Sequence, residues 1–149
     1  MNKRLAQIVT VAILTALVGI VLVKRTRKDP TPQDTIYAML DAARAGNVTQ
    51  YLSHYTGQME QALQRARSDS PDFAKYLKES SEGIKGTTVW EPEFTSENEA
   101  KARVEFVYQE RNEVQLMFLD KTPAGWKISR VDSAERVKTL VPYGTPVHK

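Results

Sequence analysis

The stretch EAKARVEFVYQE at residues 99–110 decides the fold, because apolar and polar side chains alternate along it with a period of two. The apolar series is Ala100, Ala102, Val104, Phe106 and Tyr108. A strand with this pattern buries one face against a core and exposes the other face to solvent. The alternation therefore predicts a half-buried strand in an antiparallel sheet.

Further strands are predicted on both sides of this one. Residues 114–119 form a strand that is apolar on both faces, and Trp126 and Ile128 resume the alternation after a turn-like segment. Residues 87–94 are predicted to form an edge strand, because Pro92 has no N–H to donate to a neighbour.

Helices are predicted before the strands. Thr31 has the features of an N-cap, with Pro32 at the first helical position and Asp34 three residues on, and Gly46 is typical of a C-cap. Between them runs an apolar stripe of helical period. Shorter helices are predicted over 47–55, 58–67 and 70–83. The order of helices followed by an antiparallel meander predicts an α+β domain with the helices on one face of the sheet.

Residues 5–23, LAQIVTVAILTALVGIVLV, contain no charged side chain and are long enough, as a helix, to cross the hydrocarbon core of a bilayer. We predict an uncleaved transmembrane anchor rather than a signal peptide, since Lys24 and Arg25 follow the run where a cleavage site of small residues would be needed. Small residues on this helix, Ala12, Ala16 and Gly19, are predicted to pack against other helices.

The chain is thus predicted to comprise an N-terminal flank at 1–4, a transmembrane helix at 5–23, a basic collar and Pro-rich linker at 24–31, an α+β domain at 32–132, and an extended Pro-containing tail at 133–149. The cations of the collar are predicted to contact lipid headgroups: Lys24, Arg25, Arg27 and Lys28. Counted against Lys3 and Arg4, they favour a cytoplasmic domain by the positive-inside rule.

The charge balance of the domain differs from that of the whole chain. Of the 21 Lys and Arg residues, six flank residues 5–23, which leaves 15 against 18 Asp and Glu, or 15 − 18 = −3 for the remainder. A net-acidic domain without a basic stripe argues against a nucleic-acid partner. The absence of cysteine excludes disulfides and thiolate chemistry.

The chain resembles the nuclear transport factor 2-like superfamily over residues 32–132. The resemblance rests on the capped helix from Thr31 to Asn47, the shorter tyrosine-bearing helix, and the meander that ends in Gly125-Trp126-Lys127-Ile128. It implies a curved antiparallel sheet wrapped around the first long helix as a cone. The superfamily contains isomerases and dehydratases as well as binding and scaffold domains. Several members are single-span proteins of the bacterial inner membrane with a periplasmic domain, so the resemblance slightly favours the periplasmic side.

Two residues are weak candidates for catalysis. His54 is the one histidine of the domain and could serve as a general acid or base in a cone pocket, although a position on the helix surface is the favoured interpretation. The resemblance implies an acid in the cone of catalytic members, for which Asp41 is the candidate, although a solvated helix charge is favoured there. No metal or cofactor motif is present in the sequence. The aromatic residues are expected to fill a core rather than line a pocket.

The leading functional expectation is therefore a non-enzymatic accessory or scaffold subunit of a larger membrane complex. Its span would pack laterally, and its domain would dock on partner subunits. The alternative is a membrane-tethered cone domain that binds or isomerises a small hydrophobic molecule. That alternative predicts an open, aromatic-lined cavity with His54 or an acid inside it.

Overall fold

The structure is a computed structural model that describes residues 29–138. Its elements, in chain order, are α1 (Pro32–Ala45), α2 (Val48–Ser53), α3 (Gly57–Asp69), α4 (Phe73–Glu82), β1 (Gly86–Val89), β2 (Glu93–Ser96), β3 (Glu99–Val107), β4 (Arg111–Thr122) and β5 (Gly125–Lys138). The predicted α+β class, with helices packed on an antiparallel sheet, is confirmed for this part of the chain.

The described helices do not include the predicted anchor, since residues 5–23 and the collar at 24–28 lie outside residues 29–138. Within that range, no helix has the length and apolarity that a membrane span requires.

The start of α1 is fixed by the predicted capping box. The Asp34 backbone N–H donates to Thr31 Oγ1 over 3.1 Å, and the Thr31 N–H donates to Asp34 Oδ2 over 2.8 Å, so two of the unpaired groups at the helix N-terminus are satisfied. The predicted apolar stripe is buried along the helix. At the other end, Gly46 adopts φ 66° and closes the helix as predicted.

Replacing Gly46 by alanine is expected to destabilise the domain more than the same change at Gly57. Both glycines have positive φ, a conformation that costs an L-residue about 1–2 kcal/mol. An added Cβ at Gly46 would also lie 2.6 Å from Lys78 Cε and 3.2 Å from the Ala74 carbonyl oxygen, whereas nothing lies within 4 Å of one at Gly57. Denaturation of both full-length variants, followed by circular dichroism, checks this. Equal losses of unfolding free energy would contradict the close packing of α4 against Gly46.

α2 is shorter than predicted. It begins at the Asn47 cap, whose side chain accepts from the Gln50 N–H over 3.1 Å, and it ends at Ser53. Tyr55 therefore lies beyond the helix, where it forms a parallel bridge with Ile128. The Ile128 N–H donates to the His54 carbonyl oxygen, and the Thr56 N–H donates to the Ile128 carbonyl oxygen. The chain after α2 therefore runs along the edge of β5 instead of continuing the helix.

The sheet has the order β1-β3-β4-β5, all antiparallel, and β2 pairs with the same edge of β3 as β1 does. The single edge strand predicted over 87–94 is thus two short strands separated at 90–92. Pro92 lies in the gap, as expected for a residue without a ladder N–H. The buried residues of β3 are those of the alternating series.

The predicted tail boundary at residue 133 falls inside β5. Residue 133 and residues 135–138 pair with β4, and the strand ends only at Lys138. Two register shifts in the β4–β5 ladder leave Ser129 and Ala134 as extra residues on β5. Bulges of this kind bend a strand and break its alternation, which explains why the pattern indicated a shorter strand. They also curve the sheet over the helices.

The core lies between α1 and the inner face of the sheet. On the sheet side it is formed by Ala100, Ala102, Val104, Phe106, Met117, Leu119, Trp126 and Ile128. The inner face of β4 is thus the Met117–Leu119 side, and the alternating Val114, Leu116 and Phe118 lie on the outer face. Ile36, Met39 and Leu40 of α1 fill the opposite side of the core.

Candidate functional site

A cavity of about 320 Å³ lies where α1, α2 and α4 diverge from the inner face of β3 and β4. Three small residues, Ala43 on α1 and Ser80 and Ser81 on α4, lie in its wall. The residues that line the cavity are Met39, Leu40, Ala43, Tyr51, Tyr55, Met59, Tyr76, Leu77, Ser80, Ser81, Ile84, Phe106, Tyr108, Gln115, Met117 and Val131. The lining is mainly apolar, with hydroxyl groups and one amide.

Two tyrosines form the polar centre of the cavity wall. Tyr55 Oη donates to Tyr51 Oη over 2.9 Å, and the two rings lie 5.1 Å apart. Tyr51 projects from α2, while Tyr55 is held beyond the helix end by its bridge to Ile128. Since Tyr55 uses its proton on Tyr51, the Tyr51 O–H remains able to donate to a further acceptor.

Burial keeps both hydroxyls protonated. It is the largest cause that raises the pKa of Tyr51, and it also raises the pKa of Tyr55, to which the neighbouring Tyr51 adds. Both groups are therefore neutral hydrogen-bonding groups at neutral pH rather than bases.

The mouth of the cavity is formed by α4 and the end of β3. Tyr76 is 61% exposed and stacks on Phe73 with ring centroids 5.9 Å apart. The hydroxyls of Ser80 and Ser81 donate to the Leu77 carbonyl oxygen, over 3.0 and 2.7 Å, so each retains its acceptor lone pairs.

Neither catalytic candidate from the sequence lines this cavity. His54 caps the C-terminus of α2, and its Nε2 is buried without a hydrogen-bond partner. Asp41 is on the outer side of α1, where its side chain is 73% exposed and pairs with Arg44 over 3.1 Å. No group of three metal-ligating side chains comes together within residues 29–138.

The position of His54 gives a pH-dependent prediction. Burial, together with the nearby Lys127, lowers the pKa of His54 below its usual value of 6.5. The folded state then binds a proton at His54 less readily than the unfolded state does. The contribution of neutral His54 to the free energy of unfolding is therefore complete above pH 6.5 and is lost as the pH falls through 6.5 towards the lowered pKa. We expect unfolding free energy to fall more from pH 7.5 to 5.5 in the wild type than in His54→Gln. Equal falls of unfolding free energy in the two proteins would contradict a lowered pKa of His54 in the folded state.

The aromatic residues of this site were expected to fill a core rather than line a pocket. Tyr55 and Phe106 belong to the core cluster and Tyr51 packs against it, but all three also line the cavity. Gln115 was missed, because the mixed pattern of β4 hides which face points inward, and only its register opposite Val104 places it on the inner face. Ser81 was missed because a small residue on a short helix gives no signal until its packing is known.

Comparison with known proteins gave matches among solved structures alone. No family model matches the sequence, and no curated protein matches it. Among solved structures, an NTF-2-like protein of unknown function from Shewanella oneidensis MR-1 is 17% identical, with a TM-score of 0.48 over 70% of this chain and 100% of that chain. A domain of unknown function with a cystatin-like fold from Nostoc punctiforme PCC 73102 is 16% identical, with a TM-score of 0.43 over 72% of this chain and 74% of that chain.

Proposed function

We propose that this chain is a membrane-anchored, non-enzymatic protein whose domain binds a small apolar molecule in the tyrosine-lined cavity. The observation that carries the proposal is the lining itself, which surrounds about 320 Å³ with apolar groups and a few hydroxyls. This volume is within the range of small-molecule sites, about 300–1,000 Å³, and such sites combine apolar walls with a few polar groups that orient the ligand.

The ligand is uncharged and carries a hydrogen-bond acceptor. A charged group would lose its hydration without a partner of opposite sign, since the lining residues found in the described part of the chain are all uncharged. A carbonyl or ether oxygen can accept the available Tyr51 O–H, while the methionines and Phe106 contact a hydrocarbon body.

The same chemistry favours binding over isomerisation. Proton abstraction next to a carbonyl needs a base with a pKa near the working pH. The hydroxyls of Tyr51 and Tyr55 are held in the protonated form, and the exposed Asp41 is already paired with Arg44.

Methionine methyl NMR can test binding without interference from ligand dissolved in detergent. The chain has four methionines, and Met39, Met59 and Met117 line the cavity. We expect 2-acetylnaphthalene, an uncharged ketone, to shift these three methyl signals saturably in the full-length protein. The signal of Met1 is the internal reference. If the three cavity signals do not move, or move only in step with Met1, the proposal is wrong.

The hydrogen bond to the ligand has its own test in Tyr51→Phe. Loss of one hydrogen bond costs about 1 kcal/mol, so the Kd for 2-acetylnaphthalene is expected to rise about fivefold. The matched hydrocarbon 2-ethylnaphthalene has no acceptor, and its Kd is expected to stay unchanged in the same variant. Equal changes for both ligands would show that Tyr51 contributes shape alone.

A second candidate function is that of an accessory or scaffold subunit of a multi-subunit membrane complex. It is supported by the apolar run at 5–23 with its small residues, and by the outer sheet face, where Leu116 and Phe118 lie among charged residues. Arg130 covers Phe118, with its guanidinium carbon 3.8 Å from the ring centroid. Extraction in mild detergent tests this function. A partner is expected to co-purify, and migration as a free monomer without other subunits would exclude it.

The proposed location is the inner membrane of a bacterium, with the domain on the periplasmic side. Because the chain has no cysteine, a single introduced one reports its side unambiguously. In Glu110→Cys, at the exposed turn between β3 and β4, a membrane-impermeant thiol reagent is expected to label intact spheroplasts. Labelling only after lysis would place the domain in the cytoplasm.

A further inference from the structure

The end of the domain where the described chain begins has an unusual surface. Residues 29–32 form one wall of an open groove. The opposite wall comes from the β2–β3 and β4–β5 turns, which are joined by a hydrogen bond from the Lys121 N–H to the Asn98 carbonyl oxygen over 2.8 Å. We call this end the aromatic rim; its exposed members are Phe94, Lys121 and Pro123, and the buried ring of Trp126 lies against Phe94.

Phe94 is the centre of the rim. It is 60% exposed, and its ring meets the edge of Trp126 at a centroid distance of 5.8 Å. Lys121 Nζ lies 6.0 Å from the centroid of the Trp126 ring. Phenylalanine is among the side chains that interfacial segments bury at the boundary between headgroups and acyl chains, and tryptophan is enriched at the same level.

Other exposed aromatic side chains lie in the same half of the domain. The largely exposed large apolar residues of the described chain are Tyr37, Tyr76, Trp90 and Phe94. Tyr76 belongs to the cavity mouth, but Tyr37 and Trp90 flank Val89, whose N–H donates to Tyr37 Oη over 3.4 Å. Gln33, in the first turn of α1, donates to the Val89 carbonyl oxygen over 2.8 Å, so Tyr37 and Trp90 lie near the end of the domain from which the linker emerges.

The length of the preceding chain limits how far this end can be from a bilayer. Five residues, 24–28, separate the predicted span from residue 29. They extend at most about 18 Å, or about 8 Å as a helix. The headgroup layer on each side of the hydrocarbon core is itself roughly 5–8 Å thick, so a rim at the end of this linker is within reach of the interface.

The charges of the rim decide which lipid surface fits. The charged residues that line the groove are Asp29, Glu97 and Lys121, two acidic and one basic, and Glu93, nearby on β2, is paired with Lys101 over 2.8 Å. These carboxylates disfavour contact driven by anionic lipid. Burial of the Phe94 ring among zwitterionic headgroups remains as the source of contact, and the collar is predicted from the sequence to bind lipid phosphates.

We propose that the aromatic rim is a membrane-contacting surface, in which Phe94 inserts at the headgroup level of a bilayer and orients the domain on it. The inference rests on the anchor in the proposed function and adds a second, independent contact between the domain and the lipid. It also fixes the opposite end of the sheet, at the β3–β4 turn, as the end that points away from the membrane.

Spin labels on the full-length protein in phosphatidylcholine nanodiscs test this geometry. A nitroxide is attached at Phe94→Cys, with Glu110→Cys at the far turn as the matched control. Collision with oxygen, which concentrates in lipid, is compared with collision with an aqueous nickel complex. The ratio of the two is expected to be several times higher at position 94 than at position 110. Equal, water-like ratios would overturn the inference, as would a label at 94 shielded from both reagents, which indicates a protein occupant.

A second measurement distinguishes failure of the rim contact from failure of the predicted transmembrane anchor. Alkaline carbonate washing of vesicles leaves an integral protein in the membrane and removes a peripheral one. If the chain stays in the vesicles while position 94 is water-exposed, the anchor holds and the rim contact is wrong. If carbonate removes the chain, the anchor fails and the rim inference fails with it, whereas the methionine methyl shifts still report on the cavity.

Discussion

Ile128→Ala is expected to lower the free energy of unfolding by about 3 kcal/mol, within the range of 2–5 kcal/mol for deletion of a buried aliphatic side chain. Ile128 is 0% exposed and belongs to the core cluster between α1 and the sheet. Its backbone also fixes the chain after α2, since the Ile128 N–H donates to the His54 carbonyl oxygen over 2.8 Å and its own carbonyl accepts from Thr56. The side chain therefore fills the place where the helices meet β5.

Ile84→Ala is the matched control for this substitution. Ile84 is only partly buried and lines the cavity, so its truncation is expected to cost well under half as much as truncation of Ile128. Chemical denaturation of the two full-length variants, followed by far-UV circular dichroism, measures both values. Similar losses at the two sites would contradict the boundary between core and cavity.

Ser81→Phe is expected to reduce binding of 2-acetylnaphthalene at least tenfold. Ser81 faces the cavity from α4, and a phenylalanine side chain there would occupy much of its volume. Position 81 is half-buried at the cavity mouth, so the added ring can turn into the cavity without displacing core residues. The free energy of unfolding should therefore change little. Methionine methyl shifts give the Kd in the wild type and in the variant.

The control is Ser68→Phe, which places the same ring on the exposed face of α3. Its Kd is expected to match that of the wild type. Unchanged binding in Ser81→Phe would show that the ligand contacts another surface, even if the methionine signals shift.

Much of the architecture follows from local signals in the sequence. The capping box at Thr31 and the C-cap at Gly46 define α1 to the residue, because each is a short-range arrangement of backbone and side chain. The alternation in β3 identifies its buried face for the same reason. These features depend on neighbours within four residues and need no knowledge of the tertiary fold.

The errors arise where distant parts of the chain decide the outcome. Tyr55 continues the helical pattern of apolar residues, yet it forms a bridge with Ile128 of β5 and lies beyond the end of α2. The two bulges on β5 mask the continuation of that strand to Lys138. The cavity depends on small residues of α4 that face a distant strand, so its polar groups could not be assembled from the sequence.

The central claim, that the domain holds an uncharged apolar molecule in its cavity, is tested most directly on protein purified from its native membranes. Organic extracts of the wild type and of Ser81→Phe are compared by mass spectrometry, with Ser68→Phe as a further control. We expect one uncharged, oxygen-bearing apolar compound at close to one molecule per chain in the wild type and in Ser68→Phe, and its depletion in Ser81→Phe. Extracts in which no compound distinguishes Ser81→Phe from the other two proteins would contradict the claim.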